Sequence, residues 1–188
     1  VEDLTAFAKK YNPDFHVCYN KGHVGYLDKP VIKDYSYFSF ESLPGVEWGY
    51  LDFPVSAKYM RNFGKECLGL TSRFHTEWGD FHAFRNEAAM EYEVFSMLSH
   101  GCKCTIGDQI DYWGTLTKDM YQQLGRVYKS VEEKEPWCEN AKPVSEIGVF
   151  TAEEFYATGV AGQIPGASEG VARLLMEYGY QFDFIDST

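Results

Sequence analysis

Residues 66–82, ECLGLTSRFHTEWGDFH, run from an apolar segment into a polar and aromatic one. Cys67, Leu68 and Leu70 predict a strand that is buried on both faces. Arg73 opens a loop rich in charged and aromatic side chains, and a helix is predicted from about Asn86. The order strand, polar loop, helix is typical of parallel α/β folds, in which ligand sites lie at the carboxyl ends of the strands.

The loop after this strand carries Arg73, His75, Glu77, Trp78 and Asp80. A sugar site needs these residue types, because hydroxyl groups take hydrogen bonds from charged side chains, a pyranose ring stacks on an aromatic plane, and bond cleavage uses carboxyl groups. The alternative is a solvated loop that one tryptophan anchors to the sheet.

Composition and charge exclude several classes of protein. The 188 residues include 17 basic and 28 acidic side chains, a net charge of −11, and no basic patch is visible. Nucleic acid is therefore not an expected partner. Because no apolar run approaches the roughly 20 residues of a membrane span and no signal peptide is evident, we expect no membrane partner and a cytoplasmic location.

The five cysteines, at positions 18, 67, 102, 104 and 138, are odd in number and scattered. We therefore expect reduced thiols rather than a disulfide framework. Cys102 and Cys104 share a strand face, but no second Cys/His pair has the spacing of a metal site. The sequence indicates neither a metal nor another cofactor.

Most of the chain repeats the pattern strand, polar loop, helix. Hairpin signals are missing, so parallel strands joined by crossover helices are predicted. The predicted strands are 15–19, 35–40, 67–71 and 103–106, and the predicted helices are 2–11, 54–63, 87–99 and 117–135.

Polar residues follow the carboxyl end of every one of these four strands, as at the rim of a (β/α)8 TIM-type barrel. The candidates outside the loop already described are Asn20, His23, Glu41, Asp108 and Gln109. A whole barrel takes about 250 residues, so residues 1–140 hold about half of one. Since half a barrel leaves open sheet edges, we expect the chain to be a piece of a longer protein that lacks its N-terminal part.

A second unit is predicted after a linker at 136–143. A strand at 145–150, a loop at 152–168, a helix that Ser168 caps and Gly179 ends, and a strand from Phe182 form one β-α-β unit. The glycines of the loop do not match a phosphate-binding motif. Because two strands do not fold alone, this unit is expected to continue beyond Thr188.

Three motifs carry a family resemblance: TSRFHTEWGD at 71–80, GCKCTIGDQ at 101–109 and VEEKEPW at 131–137. They look like the second half of the catalytic barrel in the hypothetical glycosyl hydrolase group related to α-L-fucosidases, glycoside hydrolase family 151. In such proteins the barrel is followed by a flavodoxin- or glutamine-amidotransferase-like domain similar to the β-galactosidase trimerisation domain, and residues 144–188 resemble its first β-α-β unit.

The resemblance implies a part of a homo-oligomeric glycoside hydrolase that acts on a mono- or oligosaccharide. Residues 1–140 would supply the last four barrel strands, and residues 141–188 would begin the following domain. The α-L-fucosidases often place the nucleophile on the fourth strand, which would lie outside this chain, and the acid/base residue later in the barrel.

Two carboxyl groups cleave a glycosidic bond. Glu41 follows what would be the sixth strand and is the favoured acid/base residue, and Glu77 after the seventh strand is the next catalytic candidate. The remaining rim residues are predicted to bind substrate or to orient the side chains that bind it: Asn20, His23, Arg73, His75, Trp78, Asp80, Asp108 and Gln109. For the four carboxylates Glu41, Glu77, Asp80 and Asp108, a hydrogen bond that merely fixes a loop is the alternative. For Trp78, the alternative is a side chain that fills the mouth of the barrel.

Two other functional classes stay open. A degenerate barrel that binds carbohydrate or serves as a scaffold would lack the carboxylate on the fourth strand. An amidotransferase-type enzyme would need a strained Cys or Ser nucleophile after a later strand, and none is seen before the chain ends.

Overall fold

The structure, a computed structural model, describes residues 1–156 and 164–188. Its α-helices are α1 (Glu2–Tyr11), α2 (Asp52–Met60), α3 (Glu87–Ser99), α4 (Lys118–Glu132), α5 (Glu135–Cys138), α6 (Glu153–Tyr156) and α7 (Gly166–Glu177). Its strands are β1 (Phe38–Glu41), β2 (Cys67–Ser72), β3 (Lys103–Gly107), β4 (Ile147–Phe150) and β5 (Phe182–Ile185). Within these described ranges, no helix combines the length and the apolar character that crossing a bilayer requires.

The first sheet has the order β1-β2-β3, with all strands parallel. This confirms the predicted neighbours and their direction. The segment 15–19 forms no strand, contrary to expectation. The Val17 amide donates to the Ser36 hydroxyl at 2.9 Å instead of to a carbonyl of a neighbouring strand, and only Lys21 makes a parallel bridge, to Phe40.

One face of this sheet packs on helices. Phe38, Phe40 and Cys67 join α2 and α3 residues in an apolar cluster, and Ile106 of β3 joins a second cluster with α3 and α4. Gly69 lets the helices approach, because a Cβ there would lie 2.6 Å from the Met97 Cγ. These contacts agree with the predicted crossover helices on one side of the sheet.

The opposite face of the first sheet is less buried. Leu68 and Leu70 point to it and are only half-buried, and they belong to none of the apolar clusters formed by residues 1–156 and 164–188. The fold is therefore α/β with small parallel sheets, and these residues form no closed barrel.

Among the described residues, the second sheet consists of β4 and β5, which pair in parallel from Ile147 opposite Phe182 to Phe150 opposite Ile185. The predicted separate pairing is confirmed. The helix α7 begins at Gly166, two residues before the predicted cap, so Ser168 lies buried inside its first turn. Of the predicted loop 152–168, residues 157–163 lie outside the described part of the chain.

The helix α2 lies between the two sheets, and all nine of its residues are buried. Ala57 and Met60 face the first sheet, whereas Val55 and Tyr59 pack with residues of β5 and α7. Lys58 adds a polar contact, because its Nζ donates to the Phe182 carbonyl at 3.0 Å. The segments on either side of residues 140 and 141 are thus in direct contact, and the division into two units there stays a prediction.

Candidate functional site

The carboxyl ends of β1, β2 and β3 lie at one edge of the first sheet, because the strands run parallel and in register. Glu41 stands opposite Leu70, and Ser72 stands opposite Gly107. The side chains that follow these strands therefore share an edge, as the sequence predicts. Glu41 and Asp108 lie at the same end of the sheet rather than at opposite ends.

A buried ion pair joins the loops after β2 and β3. The Arg73 Nε donates to Asp108 Oδ1 at 2.6 Å, and the side chains are 1% and 12% exposed. The guanidinium also lies 4.2 Å from the centre of the Phe74 ring, a cation–π contact. The Tyr121 hydroxyl interacts with Asp108, and burial together with that carboxylate raises the Tyr121 pKa. Arg73 and Asp108 thus hold the two loops together.

Trp78 is packed on the end of β3. A Cβ at Gly107 would lie 2.3 Å from the Trp78 Cη2, so only glycine permits this contact. The Trp78 ring also meets Phe74 edge-on, with ring centroids 5.8 Å apart. Trp78 is therefore held in a defined orientation beside the face of the sheet that the helices leave open.

Glu41 ends β1 and is half-buried. Its position in the strand alternates with Phe40, so its side chain shares the open face with Leu70. Its amide donates to the Lys21 carbonyl at 3.4 Å, and within residues 1–156 and 164–188 no hydrogen bond or ion pair engages its carboxyl group. The position leaves this carboxyl group available to a ligand.

Four other predicted residues are exposed near this edge: Asn20, His75, Glu77 and Gln109. Asp80 is half-buried and accepts a hydrogen bond from the Thr76 hydroxyl at 3.1 Å, which fixes its own loop. Gln109 approaches the other loop, because its Oε1 lies 3.5 Å from where a Cβ of Gly79 would be. Substrate binding by these residues stays a prediction.

His23 does not lie with the other candidates. Its side chain is buried, with Nδ1 3.0 Å from the Ser56 hydroxyl and Nε2 2.7 Å from Glu153 Oε1. Burial disfavours the imidazolium, but the hydrogen bond and charge of Glu153, with the charges of Asp52 and Asp28, outweigh burial and raise the His23 pKa. His23 therefore connects α2 to α6 instead of facing the open side of the sheet.

Sequence reasoning missed two buried charged residues behind the site. Arg85 and Glu93 form an ion pair, Glu93 also accepts from the Thr71 hydroxyl, and Arg85 Nη1 donates to the Phe74 carbonyl at 3.3 Å. Burial raises the Glu93 pKa despite these partners. A signal existed, because Glu93 interrupts the apolar stripe of α3 between Met90 and Met97. The pair anchors the polar loop from the helix side of the sheet.

Taken together, the edge offers a carboxyl group that has no partner among the described residues, an oriented tryptophan and a cross-linked pair of loops. This arrangement suits a ligand with several hydroxyl groups and an apolar ring face. The part of the chain that the structure describes holds no group of three or more His, Cys, Asp or Glu side chains that could bind a metal ion.

Comparison with known proteins places these features in context. No protein-family model matches the chain, and no curated protein matches it. A solved structure, the α-L-fucosidase isoenzyme 2 from Paenibacillus thiaminolyticus, matches with a TM-score of 0.89 and 33% identity over 98% of this chain. The chain spans 28% of the length of that structure. The resemblance to α-L-fucosidase-related proteins is therefore confirmed: this chain is similar in sequence and fold to part of an α-L-fucosidase.

Proposed function

We propose that this chain is part of a glycoside hydrolase that acts on α-L-fucosides. In this proposal residues 1–140 supply the C-terminal half of a (β/α)8 barrel, and residues 141–188 begin a following α/β domain that resembles a β-galactosidase trimerisation domain. The similarity to a fucosidase over 98% of the chain supports the assignment, and the 28% coverage of that fucosidase is consistent with a partial catalytic unit. A homo-oligomeric parent protein is part of the same proposal.

The observation that carries the proposal is the position of Glu41. Its carboxyl group lies at the carboxyl end of β1, on the face that no described helix covers, and residues 1–156 and 164–188 supply it with no partner. The Arg73–Asp108 pair and Trp78 lie at the same edge. In a barrel this open face would be the interior, whose upper end is the usual place of the active site.

Each residue has a distinct task in the proposed mechanism. Glu41 donates a proton to the glycosidic oxygen as the bond to the leaving group breaks, and later removes a proton from the attacking water. Trp78 presents its ring to the sugar, and Arg73 holds Asp108 in position to accept hydrogen bonds from hydroxyl groups. The nucleophilic carboxylate comes from an earlier strand outside this chain, and Glu77 is the next candidate for a catalytic carboxyl group.

The test compares Glu41→Gln with the parent enzyme in the full-length protein. Because only a poor leaving group needs protonation, we expect hydrolysis of an alkyl fucoside to slow by about 10²- to 10⁴-fold, and hydrolysis of a nitrophenyl fucoside to slow far less. Azide should restore part of the turnover of the nitrophenyl substrate. Glu66→Gln is the matched control, because Glu66 is an exposed glutamate at the opposite end of the same sheet.

Two results would contradict the proposal. If Glu41→Gln hydrolyses both substrates at the parent rate, Glu41 is structural and Glu77 becomes the candidate. If the parent protein binds fucosides without hydrolysing them, it is a carbohydrate-binding protein on a degenerate barrel.

A further inference from the structure

Residues 20–25 connect the first sheet to α6, in the C-terminal part of the chain. On one side, Lys21 bridges Phe40 of β1, and the Lys21 carbonyl accepts the amide of Glu41 at 3.4 Å. On the other side, His23 lies 2.7 Å from Glu153 of α6, which follows β4. This short segment therefore touches both the candidate acid and the C-terminal part of the chain.

The Glu153 carboxylate packs tightly against His23 and the backbone that follows it. Glu153 Oε2 accepts the amide of Tyr26 at 3.0 Å, and a Cβ at Gly25 would lie 1.9 Å from that oxygen. Ser56 lies 3.0 Å from the other imidazole nitrogen of His23. Since His23, Ser56 and Glu153 are all buried, water cannot replace a lost partner at low cost.

We propose that Glu153 is a positioning residue for Glu41, acting through His23 and residues 20–25. The inference rests on the proposed role of Glu41 as the acid/base residue. The contact with Glu153 fixes His23, His23 fixes the backbone from Lys21 to Gly25, and the Lys21 carbonyl holds the amide of Glu41 in the register of β1. The C-terminal part of the chain thereby regulates a catalytic group that it does not touch.

The coupling depends on pH because the contact is an ion pair. The charged and titratable groups that face His23 are Glu153 from α6, Asp52 from α2 and Asp28 from the segment 26–34, with Lys21 paired to Asp28. All three carboxylates favour the imidazolium and hold the His23 pKa above its usual value. The contribution of the ion pair is complete below the ordinary histidine pKa and is lost as pH rises through the raised pKa.

Glu153→Gln tests this coupling in the full-length protein, and Asp183→Asn is the matched control. Asp183 is also a carboxylate of the C-terminal part that forms an ion pair, with Arg61 at 2.6 Å, but it does not touch residues 20–25. We expect E153Q to lower kcat for an alkyl fucoside roughly tenfold to a hundredfold, as a small displacement of a catalytic group does, with little change in KM. D183N should leave kcat unchanged.

Amide hydrogen exchange tests the coupling without relying on hydrolysis. In the parent, the protection factors of the Gly25 amide, which donates to Asp28, and of the Glu41 amide, which donates to the Lys21 carbonyl, should fall as pH rises through the titration of His23. In E153Q they should be low at every pH, and in D183N they should follow the parent. This parent titration also decides the matter if E153Q does not fold.

Three results would overturn the inference. E153Q and D183N could lower kcat equally, which would indicate a general structural effect. The protection of the Glu41 amide could stay unchanged in E153Q, or could be independent of pH in the parent. A parent without hydrolytic activity would refute the proposed function alone, because the exchange measurements would still decide the coupling.

Discussion

Neutralising Asp108 should destabilise the protein strongly, because Asp108 is the partner of a guanidinium that is 1% exposed. In Asp108→Asn, the Arg73 Nε loses a charged acceptor at 2.6 Å. Arg73 Nη1 also lacks a hydrogen-bond partner among residues 1–156 and 164–188, so the guanidinium depends on its bond to the Asp108 carboxylate. The variant therefore leaves a buried positive charge without an anionic partner.

The magnitude follows from this geometry. Breaking a buried ion pair by removing one partner typically costs about 3–5 kcal/mol. Because Asp108 is 12% exposed, water can reach part of the site, and Arg73 keeps its contact with the Phe74 ring at 4.2 Å. We therefore expect a loss near the lower limit, about 3 kcal/mol in the free energy of unfolding.

Urea unfolding, followed by tryptophan fluorescence, measures this loss. Glu66→Gln is the control, because its pair with Lys103 is 69% and 67% exposed and such surface pairs contribute about 0–1 kcal/mol. The double variant Arg73→Met/Asp108→Asn removes both charges and should recover much of the stability that the single variant loses. The reasoning would be refuted if Asp108→Asn cost no more than Glu66→Gln, or if the double variant were less stable than the single one.

Two further changes test other parts of the structure. Gly107→Ala should displace Trp78, lower the free energy of unfolding by about 1–3 kcal/mol and red-shift the tryptophan fluorescence. The control is Gly125→Ala in α4, where an added Cβ meets no atom within 4 Å, and it should be neutral or stabilising by up to about 1 kcal/mol. Unchanged emission in Gly107→Ala would contradict the packing of Trp78 on β3. Burial lowers the His100 pKa to about 4, so the stability that its neutral form contributes should be present above the ordinary histidine pKa and disappear as pH falls through about 4, a change of up to about 3 kcal/mol. His100→Gln should remove this acid-induced loss in pH-dependent unfolding, and exposed His16→Gln should retain it; equal acid profiles for all three proteins would exclude the explanation.

The spacing of apolar residues and the residues that begin and end helices were sufficient to predict most of the first sheet. Apolar strands separated by amphipathic helices, without hairpin turns, require crossovers and hence parallel pairing. Local signals also located the ends of elements: Asn86 accepts the Ala88 amide at 2.8 Å at the start of α3, and Gly64 and Gly179 have positive φ after α2 and α7. Such features depend on residues that are close in sequence, so a single sequence contains them.

The edge at which the candidate residues meet also follows from the sequence, since parallel strands bring their carboxyl ends together. The sequence does not show which of those residues has a side chain without a partner in the protein. Arg73 could have faced a ligand, but the structure pairs it with Asp108 at 2.6 Å. Trp78 could have been fully exposed, but it is half-buried, with one end of its ring against Gly107. Both contacts depend on the relative positions of two loops, which are set by the register of β2 and β3.

Only the tertiary structure decided the partners of His23 and the position of α2. A histidine after an expected strand predicts a rim residue, but its partners Ser56 and Glu153 come from two distant segments. The helix α2 shows no one-sided apolar stripe that reveals its neighbours, because it is buried by a sheet on each side. A sequence pattern reports which residues avoid water, whereas packing between distant segments determines which charged groups meet once water is excluded.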